Sequence, residues 1–440
     1  MAAPAFLDDI APVLDDACRS GGLSAAALAV IHDGSSFAFA WGQANRVEGI
    51  AATPDTLFHI GSVTKSLTAE LVWTLIAAGR LSADMPVAAA APELSHIAAL
   101  ADERLTIGHL LSHTGGLDGD VIFDAGRGRD VLRRYMAQIG EIGSLSAPGT
   151  YFSYANVGYG ILGRIVELAG GAVFEDALAH ALRNDHKLSQ LAILPIEKIR
   201  RRTALHHVGD QPDHFGPHSN IASGTVLAMS MGDLARWGAS HLATDGRVPA
   251  LTERMRKPVA LLPHNHRYEA WGSGFTLLDG NGETLFGHDG GTAGTGTFLR
   301  IAPHHRTVWA FAATGHGGVS AYRRIEPALR RLAGLPAAPQ RTPPGGPVPK
   351  DLGVYEGVYA RHGMVFTVTR APDASFVLTV DGDMAPKAFS GLALQPLTDR
   401  VCEMRIPSLD ASVWVSFHDF DAHGKPQLLF LLERMARRTR

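Results

Sequence analysis

Ser62-Val63-Thr64-Lys65 joins a short apolar run, residues 57–60, to a long helical pattern that stops at Gly79. Residues three apart lie on one face of a helix, so Lys65 can bring its side-chain nitrogen to the Ser62 hydroxyl. A serine hydroxyl is a poor nucleophile at neutral pH unless a neighbouring base prepares it. The stretch therefore indicates covalent catalysis on Ser62. The alternative is a helix-capping serine followed by a solvated lysine.

The pattern around this stretch runs in the order strands, helices, strands, helix. Such an order predicts an antiparallel sheet with helices on its faces and a largely helical insertion, which is an α+β fold. Strands are predicted at residues 25–31, 36–41, 271–278, 283–286, 295–301 and 308–314, and helices at residues 6–18, 62–78, 107–111, 130–139, 157–168, 174–182, 231–242 and 320–332.

The last hundred residues have a different composition. Residues 334–350 are too rich in Pro and Gly for a helix or a strand and predict a stiff linker. Beyond it, short alternating segments predict a small all-β domain. The predicted organisation is a first domain over residues 1–333, the linker, and a second domain over residues 351–440.

Composition excludes several functional classes. Forty basic and 43 acidic residues give a formal charge of -3, which argues against a nucleic-acid surface or a polybasic membrane anchor. No segment offers about eighteen uncharged apolar residues, so a membrane-spanning helix is not expected. The first residues lack a basic region followed by an apolar stretch, and the two cysteines make no disulfide framework. These features predict a cytoplasmic protein.

Two further segments carry polar groups suited to catalysis. Tyr154 and Asn156 lie where an extended aromatic segment meets a helical pattern. A phenolate near a lysine ammonium is a competent base, and an Asn side chain can hold a substrate amide; the alternative is a capping Asn after a half-buried Tyr. Residues 287–296 are dense in glycine, which predicts a hairpin corner or a place where a ligand meets the backbone. There His288 can donate a hydrogen bond, and the Gly291 N–H can face an oxyanion.

The 21 histidines do not predict a metal site. His206, His207, His214 and His218 fall close together, but no H-E-x-x-H motif or cysteine pair accompanies them. We expect a polar loop near the cleft, no metal and no cofactor. His113 is expected to be structural.

Taken together, the three motifs resemble those of the serine β-lactamase and penicillin-binding-protein superfamily, in its class C-type branch. They are S-x-x-K at Ser62 and Lys65, Y-x-N at Tyr154 and Asn156, and H-x-G at His288 and Gly290. The resemblance covers roughly residues 10–332. It implies a β-lactamase/transpeptidase-like antiparallel sheet with flanking helices and a helical subdomain. The tail is similar to the lipocalin-like barrel of some relatives, which covers the cleft or supports homo-oligomers.

The resemblance also implies roles. Ser62 is acylated, Lys65 and Tyr154 move protons as one unit, the N–H groups of Ser62 and Gly291 hold the oxyanion, and Asn156 orients the substrate amide. His288 departs from the lysine that many members use to anchor a substrate carboxylate. The H-x-G form is similar to that of D-aminopeptidases and related esterases.

The expected function is that of a serine hydrolase acting on a peptide or another small molecule, preferably a D-amino-acid peptide or amide. The alternatives are a carboxylesterase, a β-lactamase or D-Ala-D-Ala carboxypeptidase, and a non-hydrolytic binding or sensor protein. Whether Asp289 orients His288 or faces solvent stays open.

Overall fold

A computed structural model describes most of the chain. The described residues are 4–208, 211–212, 216–243, 246–262, 264–265, 267–280, 283–292, 294–343, 346–348, 352–372, 375–385, 389, 391–407 and 411–439. His214, one of the four histidines expected in the polar loop, lies outside them.

The helices and strands follow the predicted order. The helices are α1 (Leu7–Arg19), α2 (Thr64–Ala77), α3 (Val87–Ala90), α4 (Ile107–Leu111), α5 (Val131–Gln138), α6 (Asn156–Gly170), α7 (Phe174–His180), α8 (Pro195–Ile199), α9 (Met231–Ser240), α10 (Arg247–Arg256) and α11 (Gly318–Leu332). The strands before the linker are β1 (Ala25–His32), β2 (Ser35–Asn45), β3 (Ile50–Ala51), β4 (Phe58–His59), β5 (Leu191–Ala192), β6 (His207–Val208), β7 (Gln211–Pro212), β8 (Ala228–Met229), β9 (Ala260–Leu261), β10 (Ala270–Trp271), β11 (Thr276–Asp279), β12 (Leu285–Thr292), β13 (Thr295–Ala302) and β14 (Thr307–Thr314).

A nine-stranded antiparallel sheet in the order β3-β2-β1-β14-β13-β12-β11-β10-β9 lies between two layers of helices. Strand β1 shows how the sequence builds both layers, because side chains alternate across a strand. Ala25, Ala27 and Ala29 pack toward the helical subdomain, whereas Leu28 and Val30 pack with α1 and α11. The predicted α+β architecture is confirmed.

Two segments differ from the sequence expectation. The strand predicted at residues 271–278 is split into β10 and β11, because Gly274 has a φ of 87° and packs its backbone against helix α2. The strand predicted to end at residue 286 continues as β12 to Thr292, through His288, Gly290 and Gly291. The glycine-rich segment is therefore mostly the end of a strand, and only its tip is a hairpin corner.

After the linker, eight strands form a closed barrel, which confirms the predicted all-β fold of this region. They are β15 (Gly357–Arg361), β16 (Met364–Arg370), β17 (Phe376–Asp381), β18 (Leu392–Pro396), β19 (Val401–Ile406), β20 (Ala411–Phe420), β21 (Pro426–Leu431) and β22 (Arg434–Arg438). The barrel has a hydrophobic core of its own, which includes Tyr359, Phe366, Leu378 and Phe417.

No single helix among the described residues is both long and apolar enough to cross a membrane. Only the pair Asn156–Gly170 and Phe174–Asp185, which is bent by 79°, meets the length and composition criteria when taken together.

Candidate active site

A cavity of 440 Å³ opens where the beginning of helix α2, the end of strand β12 and the segment before helix α6 meet. Five of the seven residues singled out from the sequence line this cavity: Ser62, Tyr154, His288, Gly290 and Gly291. Lys65 is fully buried beneath it. The structure therefore brings three sequence-distant motifs to one place.

The glycines are required by close backbone contact. Ser62 lies in a 3-10 turn, Gly61–Val63, that leads directly into α2, and its side chain does not cap that helix. A Cβ atom added to Gly61 would lie 2.6 Å from the Gly291 nitrogen. A Cβ atom on Gly290 would collide with the Ile60 carbonyl oxygen. Strand β12 and the serine turn thus touch backbone to backbone, which brings Gly291 beside the nucleophile.

Ser62, Lys65 and Tyr154 are arranged for proton transfer. Lys65 Nζ donates a hydrogen bond to Ser62 Oγ at 3.1 Å and a second, short one to the Ser223 carbonyl. The same nitrogen lies 4.9 Å from the centre of the Tyr154 ring. Within the described part of the chain, the buried Tyr154 hydroxyl has no hydrogen bond of good geometry. This hydroxyl is therefore available to a reacting group in the cavity.

The charges of this group follow from burial. Desolvation lowers the pKa of Lys65 well below its ordinary value, and the Arg434 guanidinium lowers it further, while Asp120 opposes both. Burial raises the pKa of Tyr154, although the Ser62 hydroxyl and Arg434 act in the opposite direction. The sequence interpretation favoured a phenolate at Tyr154. In the structure desolvation outweighs the nearby positive charge, so the arrangement favours a neutral amine and a protonated phenol.

Asn156 does not line the cavity. Its side-chain nitrogen donates to Asp120 Oδ1 at 2.6 Å, and it is the first residue of α6 without capping that helix through its side chain. Asp120 in turn lies 2.5 Å from Arg434 Nε. The structure thus places Asn156 in a buried polar network beside the site. Its expected contact with a substrate amide is a prediction.

His288 lines the cavity, and its buried ring carries one hydrogen-bond acceptor. Its Nδ1 lies 2.6 Å from the Asp289 carbonyl oxygen, and a carbonyl oxygen only accepts, so Nδ1 carries the proton. Burial, together with Lys65, lowers the pKa of His288 to about 3, so the ring is neutral at pH 7. Nε2 is then an unprotonated acceptor, and among the described residues it has no partner. The hydrogen bond that the sequence interpretation expected His288 to donate is therefore reversed in direction.

The Asp289 side chain neither orients His288 nor faces solvent. Its carboxylate accepts hydrogen bonds from Arg267 at 2.5 Å, Arg300 at 2.6 Å and the Tyr268 hydroxyl at 3.0 Å. Burial alone would raise its pKa, but the two guanidinium groups outweigh burial and lower it to about 2. Asp289 is thus a fixed anion in the wall of the cleft.

His113 supports Tyr154 from below, in keeping with the structural role expected for it. The two rings stack with centroids 4.2 Å apart, and His113 Nδ1 accepts a hydrogen bond from the Ala155 N–H at 3.1 Å. Burial lowers the pKa of His113 well below its ordinary value. The imidazole therefore holds the phenol in place as a neutral, flat surface.

The barrel also contributes residues to the site, and no sequence motif indicated them. Glu433, in the turn between β21 and β22, and Arg434, the first residue of β22, line the same cavity as Ser62. The Glu433 carbonyl accepts the Tyr154 N–H at 2.8 Å, and the Arg434 guanidinium lies 4.8 Å from the Tyr154 ring centre. About 280 residues separate Tyr154 from this turn. No spacing pattern signals such a contact, because it depends on how the barrel packs.

In the described part of the chain, no group of three or more His, Cys, Asp or Glu side chains is arranged to hold a metal ion. His218 instead pairs with Glu175 at 2.8 Å. His206 lies against Gly294, at the tip of the hairpin between β12 and β13.

Comparison with known proteins agrees with this geometry. The family model described as Beta-lactamase matches residues 8–334. Penicillin-binding protein 4 of Amycolatopsis lactamdurans is 36% identical over 357 residues, which covers 77% of this chain and 93% of that protein. The crystal structure of SurE with D-Leu superposes with a TM-score of 0.80 at 27% identity and covers 99% of this chain and 100% of that one. The octameric penicillin-binding protein homologue from Pyrococcus abyssi shares the fold, with a TM-score of 0.67 at 22% identity and coverage of 98% and 100%.

The motifs, the sheet and the matched length lead to one conclusion. The chain belongs to the beta-lactamase family, within the superfamily of serine hydrolases that includes the penicillin-binding proteins.

Proposed function

We propose that the protein is a serine hydrolase that forms an acyl-enzyme on Ser62 and acts on amides or peptides whose acyl residue is a D-amino acid with a free amino group. The observation that carries the proposal is the polarity of the cleft rim. His288, whose neutral Nε2 can accept a hydrogen bond, and Glu433, whose carboxylate lies 3.8 Å from Arg267, both line the cavity. An ammonium or amide N–H group has a partner there. The two guanidinium groups of the same cavity are already paired, Arg267 with Asp289 and Arg434 with Asp120, so they attract a substrate carboxylate less than an unpaired cation would.

The acylation step uses groups in their favoured protonation states. Lys65, as a neutral amine, accepts the Ser62 proton while Oγ bonds to the substrate carbonyl carbon. The N–H groups of Ser62 and Gly291 hold the oxyanion, each worth roughly 3 kcal/mol. As the carbon–nitrogen bond breaks, the Tyr154 phenol gives its proton to the leaving amine, and the Lys65 ammonium returns one to the phenolate. Water then hydrolyses the ester by the reverse sequence.

Tyr154 supports an amidase activity over a carboxylesterase activity. An amine leaves only when protonated, whereas an alkoxide or phenolate leaving group needs less help. A phenol that burial keeps protonated suits the more demanding leaving group. The similar structure that contains D-Leu supports the D configuration. The described residues that line the cavity include no lysine, and this supports other substrates over β-lactams and D-Ala-D-Ala peptides, which carry a carboxylate.

Labelling and a substrate panel test the proposal. A fluorophosphonate probe is expected to label the wild-type protein and not Ser62→Ala; an unlabelled wild type would leave only the binding or sensor reading. Turnover is then compared for D- and L-leucyl p-nitroanilide, N-acetyl-D-leucyl p-nitroanilide, a short p-nitrophenyl ester and nitrocefin. We expect the free D-aminoacyl anilide to be turned over best. Exclusive ester turnover would reject the amidase, and equal rates for the free and acetylated anilides would reject the ammonium contact.

Glu433→Gln is the matched variant, because it removes the charge and keeps the shape. We expect it to raise KM for the free aminoacyl anilide and to leave KM for the acetylated one unchanged. We also propose that the protein forms homo-oligomers. Its molar mass in solution tests this separate proposal.

A further inference from the structure

A second cavity of 250 Å³ adjoins the catalytic cleft. The two cavities share five lining residues, Arg267, Tyr268, Asp289, Phe298 and Val319. These residues bound both cavities, so the second cavity is a direct neighbour of the space beside Ser62. The far wall of the second cavity includes Ala338, Pro339 and Arg341, so the segment predicted as a mere linker helps to build a pocket.

The second cavity is positively charged. Five arginines and three carboxylates line it, so its formal charge is +2. The arginines are Arg267, Arg300, Arg323, Arg330 and Arg341, and the carboxylates belong to Asp279, Asp289 and Glu326.

All three carboxylates are already engaged. Asp279 pairs with Arg330, and Asp289 pairs with Arg267 and Arg300. Glu326 accepts the Tyr322 hydroxyl at 3.3 Å. These contacts leave two guanidinium groups in excess.

The excess guanidinium groups are those of Arg323, which is exposed, and Arg341, which is half-buried. Over the described residues neither forms an ion pair within 4.0 Å, although Glu269 acts on Arg341 electrostatically. Arg341 Nη1 is buried without a hydrogen-bonding partner there, and its Nη2 reaches only the Leu262 carbonyl at 3.4 Å. Arg300 Nε is likewise buried and unpartnered within the same part of the chain. Buried donors of this kind are normally satisfied, so the wall that they form favours a ligand with an acceptor, and the charge excess favours an anionic one.

We propose that the second cavity binds a side-chain carboxylate of the acyl residue between Arg323 and Arg341. The inference rests on the proposed function and names its substrate class: D-glutamyl and D-aspartyl amides. The acyl residue sits at Ser62 with its ammonium at the rim, and its side chain crosses the boundary at Arg267 into the second cavity. Arginine suits this task because its planar fork matches a carboxylate.

The test compares D-glutamyl and D-glutaminyl α-p-nitroanilides, which have the same shape and differ in side-chain charge. In the wild type we expect kcat/KM for the glutamyl substrate to be about tenfold higher, since a hydrogen-bonded charge pair is worth that much. Arg341→Met and Arg323→Met should bring the ratio toward one. Arg324→Met is the control, because Arg324 is exposed on the same helix as Arg323 is, but does not line the cavity. A wild-type ratio of one or less overturns the proposal, as does an equal effect of Arg324→Met.

Two further measurements keep the outcomes separate. If an arginine variant does not fold, competitive inhibition of the wild type by D-glutamate against D-glutamine replaces it, and equal inhibition overturns the proposal. If no D-aminoacyl anilide is hydrolysed at all, the proposed function fails. Calorimetric binding of glutarate against glutaramate to Ser62→Ala then tests the cavity alone, and tighter binding of glutarate supports it.

Discussion

At the scale of single residues, two neighbouring glycines of β12 differ in whether they have space for a side chain. Gly290→Ala would push a methyl group into the Ile60 carbonyl, whereas a Cβ atom on Gly291 meets nothing within 4 Å. We expect Gly290→Ala to move the serine turn, to lower kcat/KM at least about 100-fold and to destabilise the fold by about 3 kcal/mol. Gly291→Ala should keep the wild-type melting temperature and raise KM, because its methyl group enters the cleft. Steady-state kinetics and thermal melts check both, and equal behaviour of the two variants would contradict this packing.

In the proposed mechanism, Lys65 sets the pH dependence of acylation. Its amine can take a proton only when neutral, and burial lowers its pKa well below 10.5. Acylation should therefore rise with pH through the Lys65 pKa and reach its plateau below pH 10.5. Asp120 favours the charged form, so Asp120→Asn should lower that pKa and move the rising limb to lower pH. A profile of kcat/KM against pH for both proteins measures the shift, and a shift to higher pH would refute this electrostatic assignment.

At the scale of elements, the hairpin of β21 and β22 is part of the candidate active site. Leu432 and Glu433 have φ values of 51° and 63°, as a tight two-residue hairpin turn requires. The turn fixes Arg434 between Asp120 and the Tyr154 ring. Through Asp120 it also reaches Asn156. This hairpin thus contacts Tyr154 directly and Asn156 through Asp120.

Arg434→Met tests this arrangement. The change leaves Asp120 buried without its cation, which should cost about 3 kcal/mol of folding free energy. It also removes a charge that lowers the pKa of Lys65, so the rising limb of kcat/KM should move to higher pH, opposite to Asp120→Asn. Arg437→Met is the control, because Arg437 lies on the same strand, is exposed and does not line the cleft. A loss of stability without a shift of the limb would limit Arg434 to a structural role.

The elements also show which features of this protein the sequence alone predicts and which depend on packing. Periodicity and turn residues predict the order of helices and strands and the existence of the barrel, because these signals are local. Ser62, Tyr154 and His288 were found through ordered motifs. The tautomer of His288 depends on one carbonyl beside its ring, and the protonation of Tyr154 depends on burial. These properties arise only from packing, as do the contributions of Glu433 and Arg434.

At the scale of the whole molecule, an apolar cluster joins the barrel to the catalytic domain. Phe152, Tyr268 and Trp271 of the catalytic domain pack with Phe430 and Met435 of the barrel. Polar contacts at the same place include the Met435 N–H donating to Ser153 Oγ at 3.1 Å. The barrel is therefore held by a packed interface beside the cleft as well as by the linker.

This interface leads to a prediction that distinguishes the effect of the packed interface from that of the covalent linker. Deleting residues 344–440 should expose the apolar cluster and remove Arg434, so we expect a lower melting temperature and a loss of activity of at least about 100-fold. A protease site placed at residues 344–350 provides the matched control. After cleavage the two parts should stay associated, and kcat/KM should stay near that of the uncut protein, because the contacts rather than the linker hold the hairpin at Tyr154. Size-exclusion chromatography with activity assays follows both, and a cleaved protein that separates and loses activity would show that the linker is needed.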